Sequence, residues 1–175
     1  QIASNNNTML AIQKKLFARS NIGMFFINRQ SLKDYDFIEP DETYNRVLGI
    51  DYNLASKNNR WVGKFYTHKS FQPDDKEGNY SAGAFLSRRS RYFNIFSDLA
   101  YINEDFKSDL GFIPRTDILK SATSFERVFW PKGSSINSYS FELFPIITWR
   151  PGLDYKKTDH NIMFSGRIGC RDQAE

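Results

Sequence analysis

The most regular stretch of the chain runs from Tyr44 to Ala55, where apolar and polar positions alternate. Tyr44, Leu48, Ile50, Tyr52 and Leu54 fall on one side of an extended chain, with Arg46 as the misfit among them. Asn45, Val47, Gly49, Asp51, Asn53 and Ala55 fall on the other. A 3.6-residue period would scatter these residues around a helix, so the period of two predicts a strand. The same alternation predicts strands from Trp61 to His68, Asn79 to Ser87, Arg91 to Tyr101 and Ile136 to Trp149. Weaker patterns predict strands over Thr8–Lys15, Asn21–Arg29, Asp117–Phe129 and Thr158–Ile168. In Asn21–Arg29, Phe25 and Ile27 blur the pattern, and Asp117–Phe129 is ambiguous on both faces.

The segments between these strands carry a second pattern. They run Leu16–Ser20, Gln30–Thr43, Ser56–Arg60, Lys69–Gly78, Arg88–Ser90, Ile102–Thr116, Trp130–Ser135 and Arg150–Lys157, and short alternates with long. A meander with tight turns at one end and long loops at the other is the outer-membrane barrel arrangement, with the turns periplasmic and the loops outside the cell. Greek-key connections in a soluble sandwich impose no such alternation. The expected fold is therefore all-β: an antiparallel up-and-down meander of about nine strands, forming a segment of a transmembrane outer-membrane β-barrel. Residues 1–175 are expected to form a single partial barrel domain. Of the prolines, only Pro145 falls inside a strand, where its missing N–H predicts a bulge or a weak register. Gly166, Gly169 and Cys170 are expected to interrupt the last strand, which leaves 166–175 unassigned.

Composition changes this picture little. Aromatic residues make up 16% of the chain, which suits strands and membrane-interface girdles alike. Trp61, Tyr101, Trp149, Tyr44 and Tyr52 are the girdle candidates. The net charge of +4 is spread without a basic cluster, so no nucleic-acid partner is expected. No apolar run approaches the ~20 residues of a membrane helix, but barrel strands of ~10 alternating residues escape that test.

If the apolar side faces lipid, the polar side faces the lumen. Asp51, Asn53, Lys64, His68, Asp98 and Glu142 are the candidate lumen-facing residues, accompanied by Ser138 and Ser140. The loop segment Phe106-Lys107-Ser108-Asp109-Leu110-Gly111-Phe112-Ile113-Pro114-Arg115 mixes apolar and polar residues, with a turn-forming Gly111 and a Pro114 that holds Ile113 extended. It is expected to fold back into the barrel mouth, with Arg115 pairing a lumen acid such as Asp98.

Catalytic chemistry finds no constellation here. The acidic groups Asp34/Asp36, Glu39/Asp41/Glu42, Asp74/Asp75/Glu77 and Glu104/Asp105 all fall in long loops, where solvated acids are the ordinary case. No Gly-x-Ser-x-Gly elbow or phosphate-cradling glycine loop occurs. One cysteine and two histidines supply no zinc framework. No metal, cofactor or catalytic residue is expected.

The runs Arg19-Ser20-Asn21-Ile22-Gly23, Asn28-Arg29-Gln30 and Tyr44-Asn45-Arg46-Val47-Leu48-Gly49-Ile50-Asp51, with Asp105-Phe106 and Gly111-Phe112-Ile113-Pro114-Arg115, resemble a large family of Bacteroidota outer-membrane proteins. In that family a carbohydrate-binding-like β-sandwich precedes a C-terminal β-barrel, and hydrolase or carbohydrate-binding labels are common. The resemblance spans Thr8 to Phe164 and covers the barrel part only. It implies outer-membrane lipid, further barrel strands and an N-terminal sandwich domain as partners, with glycan as the substrate class, at the cell outer membrane. The expected function is carbohydrate or polymer binding and uptake at the cell surface. A soluble all-β carbohydrate-binding module and part of a glycoside hydrolase stay open as alternatives.

Overall fold

A computed structural model describes residues 3–33, 36–73, 77, 79–133 and 135–170 of the chain. Nine strands follow one another: β1 Asn5–Leu16, β2 Ser20–Ser31, β3 Tyr44–Ala55, β4 Trp61–Phe71, β5 Tyr80–Arg88, β6 Phe93–Ile102, β7 Ile118–Phe129, β8 Ile136–Arg150 and β9 Lys156–Cys170. Each pairs antiparallel with the next, so the sheet order is the chain order. The sheet is open: β1 and β9 are its two edges and do not pair with each other. Two single-turn 3-10 helices, Pro40–Glu42 and Pro151–Leu153, interrupt the loops.

All nine predicted strands exist, and β1, β2, β4 and β9 are a few residues longer than the alternation alone indicates. The blurred segment β2 is resolved by register. Phe25 and Ile27 sit opposite Gly49 and Val47, on the side of Asp51, while Met24 and Phe26 sit opposite Ile50 and Leu48. An apolar ring on the polar side is admitted because its neighbour is a glycine.

Residues 17–19, 56–60, 89–92 and 130–135 turn the chain at one end of the sheet. The connections that follow β2, β4, β6 and β8 lie at the other end. The length alternation fails at the last connection, where β9 begins at Lys156 after a compact 3-10 turn. That turn closes through Asp154 and Tyr155, both in the left-handed region at φ 51 and φ 56.

One further expectation is corrected and another is met in part. Glycines do not stop the last strand: Gly166 pairs with Phe141 and Gly169 with Ser138, and β9 continues to Cys170. Residues 171–175 lie outside the described residues. Pro145 causes no register shift. Its pairing with Ile162 of β9 is regular, and the β7–β8 register resumes unchanged on either side of it. The β7–β8 ladder is nonetheless interrupted there, between Ala122–Ile146 and Phe125–Leu143, as a residue without an N–H requires. The irregularities of β8 lie instead near its ends, between Ile136 and Ser138 and between Thr148 and Trp149.

The distribution of exposure is inverted relative to a water-soluble sheet. Leu10, Ile12, Met24, Leu48, Ile50, Phe65, Leu99, Phe125, Leu143 and Phe164 share one face by register, and all are exposed. The buried strand residues gather on the opposite face and are mostly polar: Asn45, Ser70, Ser81, Ser124, Ser140 and Thr148, with Val47, Ile118 and Ala122.

Candidate functional site

The six polar candidates share one face. Asp51 pairs with Tyr66, Asn53 with Lys64, and Gly49 with His68. Tyr66 continues to Gly83, Lys64 to Phe85 and Phe85 to Asp98. Asp98 continues through Ala122 and Ile146, and Glu142 sits on the same side of β8. The period of two carries the face across all of these strands.

Glycines on this face make room for rings. A Cβ on Gly49 would stand 2.3 Å from the Phe25 ring, and one on Gly83 would stand 2.4 Å from the Tyr66 ring. Phe25 meets His68 edge-on at 5.0 Å, and His68 stacks on Tyr66 at 4.7 Å. A second cluster joins Phe85, Phe96 and Phe144, at 5.4 and 6.2 Å between centroids. Phe96 lies on β6 and Phe144 on β8, so the face is bent enough for side chains to meet across an intervening strand.

Between β6 and β9 lies a polar lattice that the sequence does not announce. Glu126 of β7 stands directly opposite Glu142 of β8. Like charges facing each other are unfavourable unless donors surround them. Here Glu126 accepts hydrogen bonds from Asn94 Nδ2 at 2.7 Å and Ser140 Oγ at 2.8 Å, and pairs with Arg167 at 3.5 Å. Glu142 accepts from Ser124 Oγ and from Ser165 Oγ. The serine on each of β7 and β8 thus serves the carboxylate of the other strand. Ser87, Arg89, Asn94 and Phe96 join the two glutamates around a cleft. Glu126 and Arg167 are far apart in the chain, and only the strand register brings them together.

The long-loop end of the sheet is crossed by residues 103–117. This loop leaves β6 yet is held by β3 and β4. Asn45 Nδ2 donates to the Lys107 carbonyl at 3.1 Å, and the Asp109 amide donates to Asn45 Oδ1 at 3.0 Å. The Lys107 amide donates to Ser70 Oγ at 3.3 Å. Asn45 therefore pairs the loop backbone as a strand edge would. Arg29 ties the loop to β2 through Asp109 at 3.2 Å, and donates to the Glu42 carbonyl at 2.6 Å. Phe106 is buried beneath this strap.

The inward folding expected of Phe106–Arg115 is thus found in its first part, residues 106–109, and not in its Gly-Phe-Ile-Pro-Arg part. Gly111, Pro114 and Arg115 are exposed, and Phe112 is 91% exposed. Arg115 pairs with Asp159 of β9 at 3.1 Å, and not with Asp98. The loop ends at Asp117, whose carboxylate accepts from the Gly152 amide at 2.7 Å and from Arg150 Nε at 2.8 Å. The Gly152 amide, with Arg150 beside it, holds the Asp117 carboxyl below the usual carboxylate range.

At each end of the apolar face stands a band of aromatic residues. Tyr44, Phe71, Tyr80, Tyr101 and Trp149 mark the long-loop end, with Tyr80 stacked on Tyr101 at 5.3 Å. Tyr52, Trp61, Phe129 and Tyr139 mark the short-turn end, with Phe129 stacked on Tyr139 at 4.9 Å. The misfit Arg46 lies at the first band, 4.5 Å over the Tyr44 ring, and donates to Asn28 and Gln30.

Of the loop acids, Asp34, Asp74, Asp75 and the Asp41 side chain lie outside the described residues. Among the described residues no three His, Cys, Asp or Glu side chains come together as a metal-binding group. No protein-family model, curated protein or solved structure matches the chain.

Proposed function

We propose that the chain is a wall segment of an outer-membrane β-barrel, with its apolar face toward lipid and its polar face lining the interior. The inverted exposure carries this reading. Apolar side chains at the middle of nearly every strand stand uncovered, while serine, asparagine and threonine fill the sheltered face. A sheet in water would place them the other way round. Aromatic bands at both ends of the apolar face are what the two membrane interfaces select.

Strand direction adds a constraint. In a meander of nine strands the first and last run the same way, so β1 and β9 could join only through a parallel seam. Closing an antiparallel barrel requires an odd number of further strands, in keeping with the even totals of bacterial barrels.

The resemblance to the Bacteroidota family extends the proposal to binding or uptake of carbohydrate or another polymer at the cell surface. The rings on the polar face, Phe25, Tyr66, Phe85 and Phe96, offer flat apolar surfaces for a sugar, next to the Asn94–Glu126–Glu142 donors and acceptors. The strap over residues 105–109 would narrow the path to them.

The test is cysteine labelling in the full-length protein in its membrane, on a Cys170→Ser background. Cysteines at Leu48, Ile50 and Leu99 should react with a lipid-soluble probe and resist a water-soluble maleimide. Cysteines at Asn53 and Lys64 should do the reverse. Water-accessible labelling at Ile50, or partition of the protein into the aqueous phase on detergent extraction, would overturn the reading.

A further inference from the structure

The two ends of the sheet differ in charge. The short-turn connections carry Arg19, Lys57, Arg60, Arg89, Arg91 and Lys132 and contain no Asp or Glu. The long-loop connections carry most of the chain's acids, among them Glu39, Glu42, Glu104, Asp105 and Asp109. The net charge of +4 conceals this polarity, because it sums a basic end, an acidic end and net-basic strands.

Three of the arginines at the short-turn end are held on aromatic rings at the rim of the apolar face. Arg88 lies 5.7 Å over Trp61. Arg91 lies 5.1 Å over Trp130 and 5.7 Å over Tyr92, and the Trp130 indole N–H donates to the Arg91 carbonyl at 2.8 Å. Arg127 lies 5.5 Å over Phe129. Among the described residues none of the three has a carboxylate partner; the ion pairs there engage Arg29, Lys107, Arg115, Arg150 and Arg167. A guanidinium on a ring keeps its N–H edges free for a second partner.

We propose that this rim is a docking surface for anionic phospholipid headgroups, with Arg88, Arg91 and Arg127 receiving their phosphates. This rests on the barrel reading, because the apolar face must sit in lipid for a headgroup to reach the rim. The charge complementarity is local: an arginine-rich edge with no acid, at the depth where an aromatic band meets the interface. The long-loop rim repeats it only with a lysine, Lys69, 5.5 Å over the Phe71 ring, and with no free arginine fork. There Arg46 is occupied by Asn28 and Gln30, and the adjoining loops are acidic. A phosphate bound on a polar cleft would need no aromatic collar beside an apolar face, which favours a lipid source over the free ion.

The experiment uses the full-length protein reconstituted into vesicles of phosphatidylcholine alone or with one third phosphatidylglycerol. Lipid retained after detergent exchange is counted by mass spectrometry. Wild type should retain phosphatidylglycerol in preference to phosphatidylcholine. The R88Q/R91Q/R127Q variant should lose that preference by about fivefold for each arginine removed. If the variant does not insert, the wild-type preference measured at low and at about 1 M salt replaces it, and should collapse as the Debye length shrinks to about 3 Å. Equal retention by wild type and variant, a preference indifferent to salt, or displacement of the lipid by inorganic phosphate overturns the inference and leaves the barrel standing. Failure of the wild type to enter either vesicle overturns the barrel reading as well.

Discussion

On one face of the sheet Leu48, Ile50, Leu99 and Phe125 stand exposed; on the other Asn45, Ser81, Ser124 and Ser140 are buried. The exposed face is built from aliphatic side chains and from rings that stack on one another, such as Phe141 on Phe164 at 6.0 Å. The sheltered face is built from pairs that fit only one another: Phe25 on Gly49, Tyr66 on Gly83, Ser124 with Glu142, Ser140 with Glu126, Asn45 with the strap. The difference teaches where the specificity of this sheet resides. On the proposed barrel reading the reason is that lipid is a fluid solvent and asks only for apolar surface, whereas a polar interior must satisfy each donor and acceptor individually.

That contrast can be broken most severely at the centre of the apolar face. Ile50→Arg should destabilise the protein in vesicles by about 2–4 kcal/mol, since a midplane charge on the lipid side is costly. Lys64→Gln on the opposite face should stay within about 0.5 kcal/mol. Urea unfolding in vesicles measures both, and a neutral Ile50→Arg would place that face in water.

Packing on the polar face comes next. Gly49→Ala should cost about 1–3 kcal/mol because its Cβ enters the space of the Phe25 ring. Gly166→Ala, where the nearest atom is the Phe141 ring at 3.8 Å, should be neutral or slightly stabilising in the same assay. Equal effects at the two glycines would show that the ring-over-glycine pairing has no special weight.

The smallest global effect belongs to the strap. Asn45→Ala removes both hydrogen bonds to residues 107–109 and should cost about 1–2 kcal/mol, mostly as local opening. Hydrogen exchange at the Asp109 amide should accelerate while exchange in β7 and β8 stays unchanged.

Much of this was legible in the chain. The period of two marks β3, β4, β5, β6 and β8 clearly and β2 and β7 only weakly, and the polar candidates on β3, β4, β6 and β8 share a face because alternation and antiparallel register leave no other arrangement. The long connection before β7 was legible from its turn residues, and its inward fold was foreseen. Within Phe106–Arg115, that only residues 106–109 fold inward is not legible, because Gly111 and Pro114 mark a bend without stating its direction. Arg115 meets Asp159 and not Asp98 for the same reason: loop charges find partners by proximity, and proximity at this end of the sheet depends on sheet curvature.

The sequence by itself determined the strands, their order of connection and the two-faced chemistry, since each follows from neighbours a few residues apart. Tertiary structure alone decided which face is sheltered, that Glu126 meets Glu142 and Arg167, and that Asn45 holds a loop more than sixty positions away. Those contacts depend on register summed over several strands and on the curvature of the sheet, and no local pattern encodes either. The polar ends follow the same division. The arginines and acids are written in the turns and loops, but folding gathers one sign at each end.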